Sequence, residues 1–127
     1  MKPVIIVDTN VILRLILADN PKLSFQSKEI FDLAETGKVG IYIDEVIVAE
    51  VVWVLSSFYR QSKEDIVRHL KDMISQRWIV NPRKKLILAA LNLFSETNLS
   101  YIDAWILLVS RQRKIELKTF DQKLGKK

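Results

Sequence analysis

Val4-Ile5-Ile6-Val7 is a continuous β-branched run that stops abruptly at the polar Asp8-Thr9-Asn10, and it sets the strongest limit on the fold. A strand that is apolar at every position reads as one buried in a parallel sheet. The rest of the chain has the helices and strands that such a sheet requires. Thr9 to Leu17 has helical spacing, with Val11/Leu15 and Ile12/Ile16 at i,i+4, and Asn20-Pro21 breaks it. Ser24 to Glu35 is amphipathic and Gly37 is a natural stop. Ile41-Tyr42-Ile43 reads as a short strand, and Asp44 as the N-cap of a helix running to about Tyr59. Ser62 and Asp65 have capping-box spacing and open a helix to about Ile74, and Trp78-Ile79-Val80 reads as a third strand. Arg83 to Phe94 is a further helix. Ser100 and Asp103 open another, to about Arg111, and Ile115 to Thr119 is the expected last strand before a basic tail, Lys123 to Lys127. Strands alternating with helices of this length predict an α/β fold around a central, mainly parallel sheet of four to five strands.

The chain has 127 residues, about half of them hydrophobic, which predicts a single domain over 1–127 with its own core. It has no Cys, which excludes disulfides, thiolate metal sites and cysteine nucleophiles. Its single His, His69, excludes any two-histidine site and reads as part of a polar helix face with Arg68, Lys71 and Asp72. Chemistry is left to carboxylates, hydroxyls, amides and amines, or to a metal held by oxygen. No apolar stretch is long enough for a membrane span, no targeting segment is visible, and a cytoplasmic location is expected. The net charge of +5 is unevenly spread: residues 1–75 carry 9 basic and 11 acidic side chains, residues 76–127 carry 11 basic and 4 acidic. The basic half, with Arg83-Lys84-Lys85 and Arg111, Arg113, Lys114, suits either a polyanion or an ordinary solvated surface.

Four acids stand where solvation alone does not explain them. Asp8 ends the first strand, Glu50 lies mid-helix, Asp103 opens a helix and Asp121 succeeds the expected last strand. Asp8, Asp103 and Asp121 each have a structural alternative as helix caps. Glu50 does not: it is about two turns into its helix and shares a face with Ile47, Trp53 and Val54, which predicts a buried carboxylate in need of a partner or a cation. Trp53 and Trp105 are expected in the core, with Phe58 and Tyr59 available for an interaction face. Sites in open α/β sheets form beyond the carboxyl ends of the strands, where these acids would converge. Converging carboxylates repel one another, and a divalent cation with oxygen ligands, Mg²⁺ or Mn²⁺, removes that penalty.

At these residues the chain resembles the PIN-domain ribonucleases, and among them the VapC toxins of toxin–antitoxin pairs. The resemblance rests on Val7-Asp8-Thr9-Asn10, Ala49-Glu50, Tyr101-Ile102-Asp103-Ala104 and Thr119-Phe120-Asp121, in this order over essentially the whole chain. It implies a three-layer α/β/α PIN-like fold, Mg²⁺- or Mn²⁺-dependent RNA cleavage, a homodimer and a cognate antitoxin. Carried over by position, Asp8, Glu50, Asp103 and Asp121 are the catalytic, metal-binding set, Asn10 is a supporting polar residue, and Thr9 and Thr119 supply hydroxyls. Members of the family often carry a further acid two or three residues after Asp121, where this chain has Lys123 and Leu124. The implied mechanism is in-line attack by a metal-activated water, leaving a 5′-phosphate and a 3′-hydroxyl, with Arg14, Arg111 and Arg113 holding the RNA backbone. A PIN nuclease of RNA processing and a non-catalytic RNA-binding module share these features. A haloacid-dehalogenase-type phosphatase fits less well, because Asn10 stands where its second acid belongs.

Overall fold

The computed structural model describes residues 2–126. Three strands, β1 (Val4–Ile6), β2 (Gly40–Tyr42) and β3 (Ile79–Val80), form a parallel sheet in the order β1-β2-β3. Seven helices occur among the described residues: α1 (Thr9–Leu17), α2 (Pro21–Glu35), α3 (Glu45–Ser57), α4 (Lys63–Ile74), α5 (Lys84–Glu96), α6 (Tyr101–Arg113) and the short α7 (Gln122–Gly125). Val4 lies opposite Gly40, and Ile41 opposite Ile79. The expected α/β architecture is therefore present. No helix among the described residues is long and apolar enough to cross a membrane.

The sheet has three strands, not four to five, because Ile115 to Thr119 joins no ladder. Lys114 closes α6 in the left-handed region, at φ 56°. The Ile115 N–H then donates to the Ser110 carbonyl at 2.9 Å, tying the segment back to the helix it leaves. Leu117 packs beside a small cluster of Leu99, Leu107 and Leu124, which satisfies its apolar side chain without a strand partner. β1 is consequently an edge strand. Val7 is buried and Ile5 half-buried, but Val4 and Ile6 are exposed, Ile6 to 68%. The uninterrupted apolar run predicts burial at every position; successive side chains of a strand point to opposite faces, and the face that carries Val4 and Ile6 is left in solvent.

Helix starts obey local chemistry closely. Asp8, Asn20, Asp44, Ser62, Ser100 and Asp121 each accept a hydrogen bond from a backbone N–H of the first turn they cap. α2 begins at Pro21, three residues before the expected Ser24: proline at the first helical position gives up no needed donor, and Asn20 Oδ1 accepts from the Leu23 N–H at 3.1 Å. The core joins these elements. Ile12 of α1, Val48, Val51 and Leu55 of α3, Ile66 and Leu70 of α4, and Ile87 and Leu91 of α5 are all essentially inaccessible and belong to one cluster. Leu55→Ala is expected to lower the unfolding free energy by about 2–5 kcal/mol in chemical denaturation, since interior packing leaves a cavity behind. A loss under about 1 kcal/mol would show that α3 is not anchored through this residue.

Candidate active site

α3 organises the site because its two faces differ. Val48, Val51, Val52 and Leu55 face the core, whereas Val46, Glu50, Trp53 and Ser57 are exposed. Glu50 and Trp53 do share a face, as their spacing requires, but it is the solvent face. Two expectations are corrected together: Glu50 is exposed, not buried, and Trp53 is 66% exposed, not core. Trp105 is half-buried against the core, in keeping with its expected place.

The carboxylates occupy distinct local environments. Asp8 N-caps α1 through Oδ1, which accepts from the Val11 N–H at 3.1 Å. The adjacent Thr9 is buried, and its hydroxyl donates to Glu50 Oε1, joining the start of α1 to the middle of α3. Asp103 lies in the first turn of α6. Its N–H donates to Ser100 Oγ at 3.1 Å, but the return bond of a full capping box is not formed among the described residues, so its carboxylate is not spent on the cap. Asp121 caps α7, with Oδ1 accepting from the Lys123 and Leu124 N–H groups at 2.8 and 3.2 Å, and its own N–H donates to Thr119 Oγ1 at 3.0 Å. Asn10 is exposed beside Thr9.

The structure thus connects Asp8, Thr9 and Glu50 through contiguous groups, and α3 packs against α6, the helix carrying Asp103. It does not gather the set: among the described residues, no three Asp, Glu or His side chains lie close enough to share a metal ion. The donor chemistry nevertheless fits an oxygen-ligated divalent cation. Among the described residues, none of the four carboxylates is in an ion pair and each retains an oxygen that accepts no hydrogen bond.

The basic residues are placed less uniformly. Arg14 is largely occupied, with Nη1 3.0 Å from Asp19 Oδ1 and Nη2 3.3 Å from the Tyr59 hydroxyl. Arg111 and Arg113 sit exposed in the last turn of α6, where cations suit the negative end of the helix dipole. His69 is half-buried and lines an open pocket with Leu15, Phe31 and Trp78.

A polar knot at the sheet's end has no counterpart among the sequence expectations. The Asn81 side-chain amide donates to the Ile43 carbonyl at 2.9 Å and to Glu45 Oε1, while Asn81 Oδ1 accepts from the Arg83 N–H at 2.8 Å. Arg83 Nη2 lies 2.7 Å from Glu45 Oε2, and its guanidinium stacks over Trp105 at 4.9 Å. Burial alone would raise the Glu45 pKa, but the hydrogen bonds from Arg83 and Asn81 and the Arg83 charge together hold it below its ordinary value. The signal in the sequence is Asn81-Pro82-Arg83 directly after a predicted strand, but only tertiary contact supplies the partner across 36 or 38 residues.

A family model for the PIN domain matches residues 5–127. No curated protein and no solved structure matches the chain.

A carboxyl with a depressed folded-state pKa stabilises the fold above its unfolded pKa, and that stability is lost as pH falls through the folded value. Thermal melting is therefore expected to weaken below about pH 4.5. Glu45→Gln should cost about 1–2 kcal/mol at neutral pH and flatten the acid limb of the melting profile, because part of the pair is screened by solvent. An unchanged acid limb in the variant would remove Glu45 from this role.

Proposed function

The chain belongs to the PIN-domain family, and we propose that it is a metal-dependent endoribonuclease that cleaves RNA phosphodiester bonds at the Asp8, Glu50 and Asp103 region, with residues 1–127 acting as one nuclease domain. The observation that carries this is the Thr9–Glu50 hydrogen bond, which couples the Asp8-Thr9 turn to α3 while all the candidate acids stay free of ion pairs among the described residues. Asp8, Glu50, Asp103 and Asp121 would hold Mg²⁺ or Mn²⁺. The chemistry such a cation supplies when bound is a more acidic water and neutralised charge on the phosphodiester oxygens. The protein's own part is positional. The Asp8 cap fixes the first turn of α1, the Thr9 hydroxyl orients the Glu50 carboxylate, and Ser100 holds the first turn of α6 without using the Asp103 carboxylate. Arg111 and Arg113, with Arg14 where its ion pair with Asp19 opens, are the proposed RNA-backbone contacts.

Within the family we place it with the toxins of two-protein modules: a cytoplasmic homodimer held in check by a cognate antitoxin. The four short motifs and their order support that placement, and the exposed Phe58 at the end of α3 is suited to a protein partner. The test separates chemistry from folding. Asp8→Asn keeps a cap of equal quality, and Asp103→Asn leaves the Ser100 cap untouched. Both are expected to retain the wild-type melting temperature while losing on the order of 100-fold or more of Mg²⁺- or Mn²⁺-dependent RNA cleavage. Cleavage at wild-type rates in both variants would overturn the nuclease assignment. Growth arrest on expression, relieved by the product of a neighbouring reading frame, tests the toxin placement separately.

A further inference from the structure

Resting on the nuclease reading above, we propose that the pocket between the turn before α6 and the short helix α7 is a subsite for a backbone phosphate of the RNA, held by Lys123 and Lys126 with Asn98 and Gln122. These four residues line the pocket, which measures about 320 Å³ and is open to solvent.

The lining selects the sign and the kind of occupant. Two of its residues carry ammonium groups, two carry amides, and none is a carboxylate, an aliphatic or an aromatic. A base or an acyl chain finds nothing to pack on, and a cation finds no counter-charge. Neither Lys123 nor Lys126 is in an ion pair among the described residues, so both charges are left for a partner. Lys63 points the same way from beneath. Its ammonium donates to the carbonyls of Thr97 and Leu99, on either side of Asn98, at 2.9 Å each. Burial first, and the charge of Lys123 with it, hold the Lys63 amine below its ordinary pKa, while Glu64 opposes them. Cations thus crowd one turn closely enough to repel, and no acid lines the pocket beside them. An anion seated there relieves that repulsion.

The walls are anchored to the fold. Leu124, only 5% exposed, joins Leu99 and Leu107 in their own cluster and pins α7 against the turn before α6. Asp121 Oδ1 accepts from the Lys123 N–H at 2.8 Å, and the Lys126 N–H donates to the Leu124 carbonyl. Both lysines therefore leave a fixed backbone. The same connections tie the pocket to the proposed chemistry. One wall carries Asp121, and the other leads within two residues to Ser100, the cap of the turn that holds Asp103. An open pocket lets a polymer backbone enter and leave, so a phosphate held here continues into the strand that meets those acids.

A fluorescein-labelled uridine decamer, titrated by anisotropy in EDTA from about 50 to about 200 mM salt, counts phosphate contacts without any cleavage. Lys123→Ala/Lys126→Ala is expected to bind about 10-fold more weakly at low salt. Its slope of log affinity against log salt should be shallower by about 0.7, the share of one phosphate on a single strand. Lys22→Ala/Lys38→Ala removes the same charge from α2 and the turn beyond it, and should stay within about twofold of wild type. All these lysines are exposed and outside any ion pair among the described residues, so both double variants should melt like the wild type. Asn98→Asp gives a second reading with both lysines in place: a carboxylate in the lining should weaken binding by a similar factor. Wild-type affinity and slope in both Lys123→Ala/Lys126→Ala and Asn98→Asp would overturn the subsite, as would an equal loss in the control pair. Displacement of the decamer by hexaglutamate as readily as by unlabelled RNA would also overturn it, and would assign the pocket to an acidic protein segment. The nuclease reading fails differently: the wild-type protein then cuts no RNA with Mg²⁺ or Mn²⁺, while the changes in affinity and slope persist.

Discussion

The side chain of Asn81 is the point on which the site end of the molecule depends. One amide reaches the carbonyl just past β2, the carboxylate in the first turn of α3 and the backbone N–H that precedes α5. Two chain segments far apart in sequence, residues 43–45 and 81–83, are thereby fixed to one another by a group that is itself buried. Arg83 completes the arrangement by neutralising Glu45 and covering Trp105 of α6. Such a knot is stable only if every member is satisfied, because an orphaned amide or carboxylate there would cost more than the bonds contribute. Its effect is to fix the roll of α3 about its own axis.

That roll decides everything on the opposite face. With Val48, Val51, Val52 and Leu55 committed to the core, Glu50 and Trp53 have nowhere to go but outward. The Thr9 hydroxyl then finds Glu50, and the start of α6 packs across the same helix. Glu50 and Trp53 are thus presented on the outer face of a helix that is firmly buried behind them, with α6 packed against it. Rigid support of this kind keeps an exposed site in place.

What can be read from the sequence is local, and what cannot is tertiary. The helix starts at Asp8, Asp44, Ser62 and Ser100 are legible because a cap is a bond between residues two or three apart. Strand β1 is legible from its composition, yet its edge position is not, since that depends on whether residues 115–119 pair with it. Those residues alternate as a strand should, but the left-handed turn at Lys114 and the pull of Leu117 into a separate cluster outweigh the pattern. Glu50 stands out in the sequence for a reason that does not hold, because the burial it implies is not there. Its neighbour Trp53 looks like a core residue, and hydrophobicity alone does not say whether an aromatic is inside or at the surface.

The basic charge also changes meaning once the cations are placed. Lys63 donates to the carbonyls of Phe94, Thr97 and Leu99 at 3.2, 2.9 and 2.9 Å, and Lys84 to those of Gln76 and Ile79 at 2.6 and 3.0 Å. Burial holds both amines below their ordinary pKa, as expected for charges used inside the fold. With Arg83 paired to Glu45, two of the three cations in Arg83-Lys84-Lys85 are structural. These cations nonetheless serve the site. Lys63 gathers the end of α5 and the turn before α6 onto one ammonium group, and that turn sets where Ser100, Tyr101 and Asp103 begin. Among the described residues the four acids remain outside any ion pair, while Lys63 and Lys84 are satisfied by backbone carbonyls and Arg83 by Glu45. Carboxylates that carry hydrogen bonds but no ion pair among the described residues keep their charge available to a cation from solvent, which is the electrostatic condition that the proposed function needs.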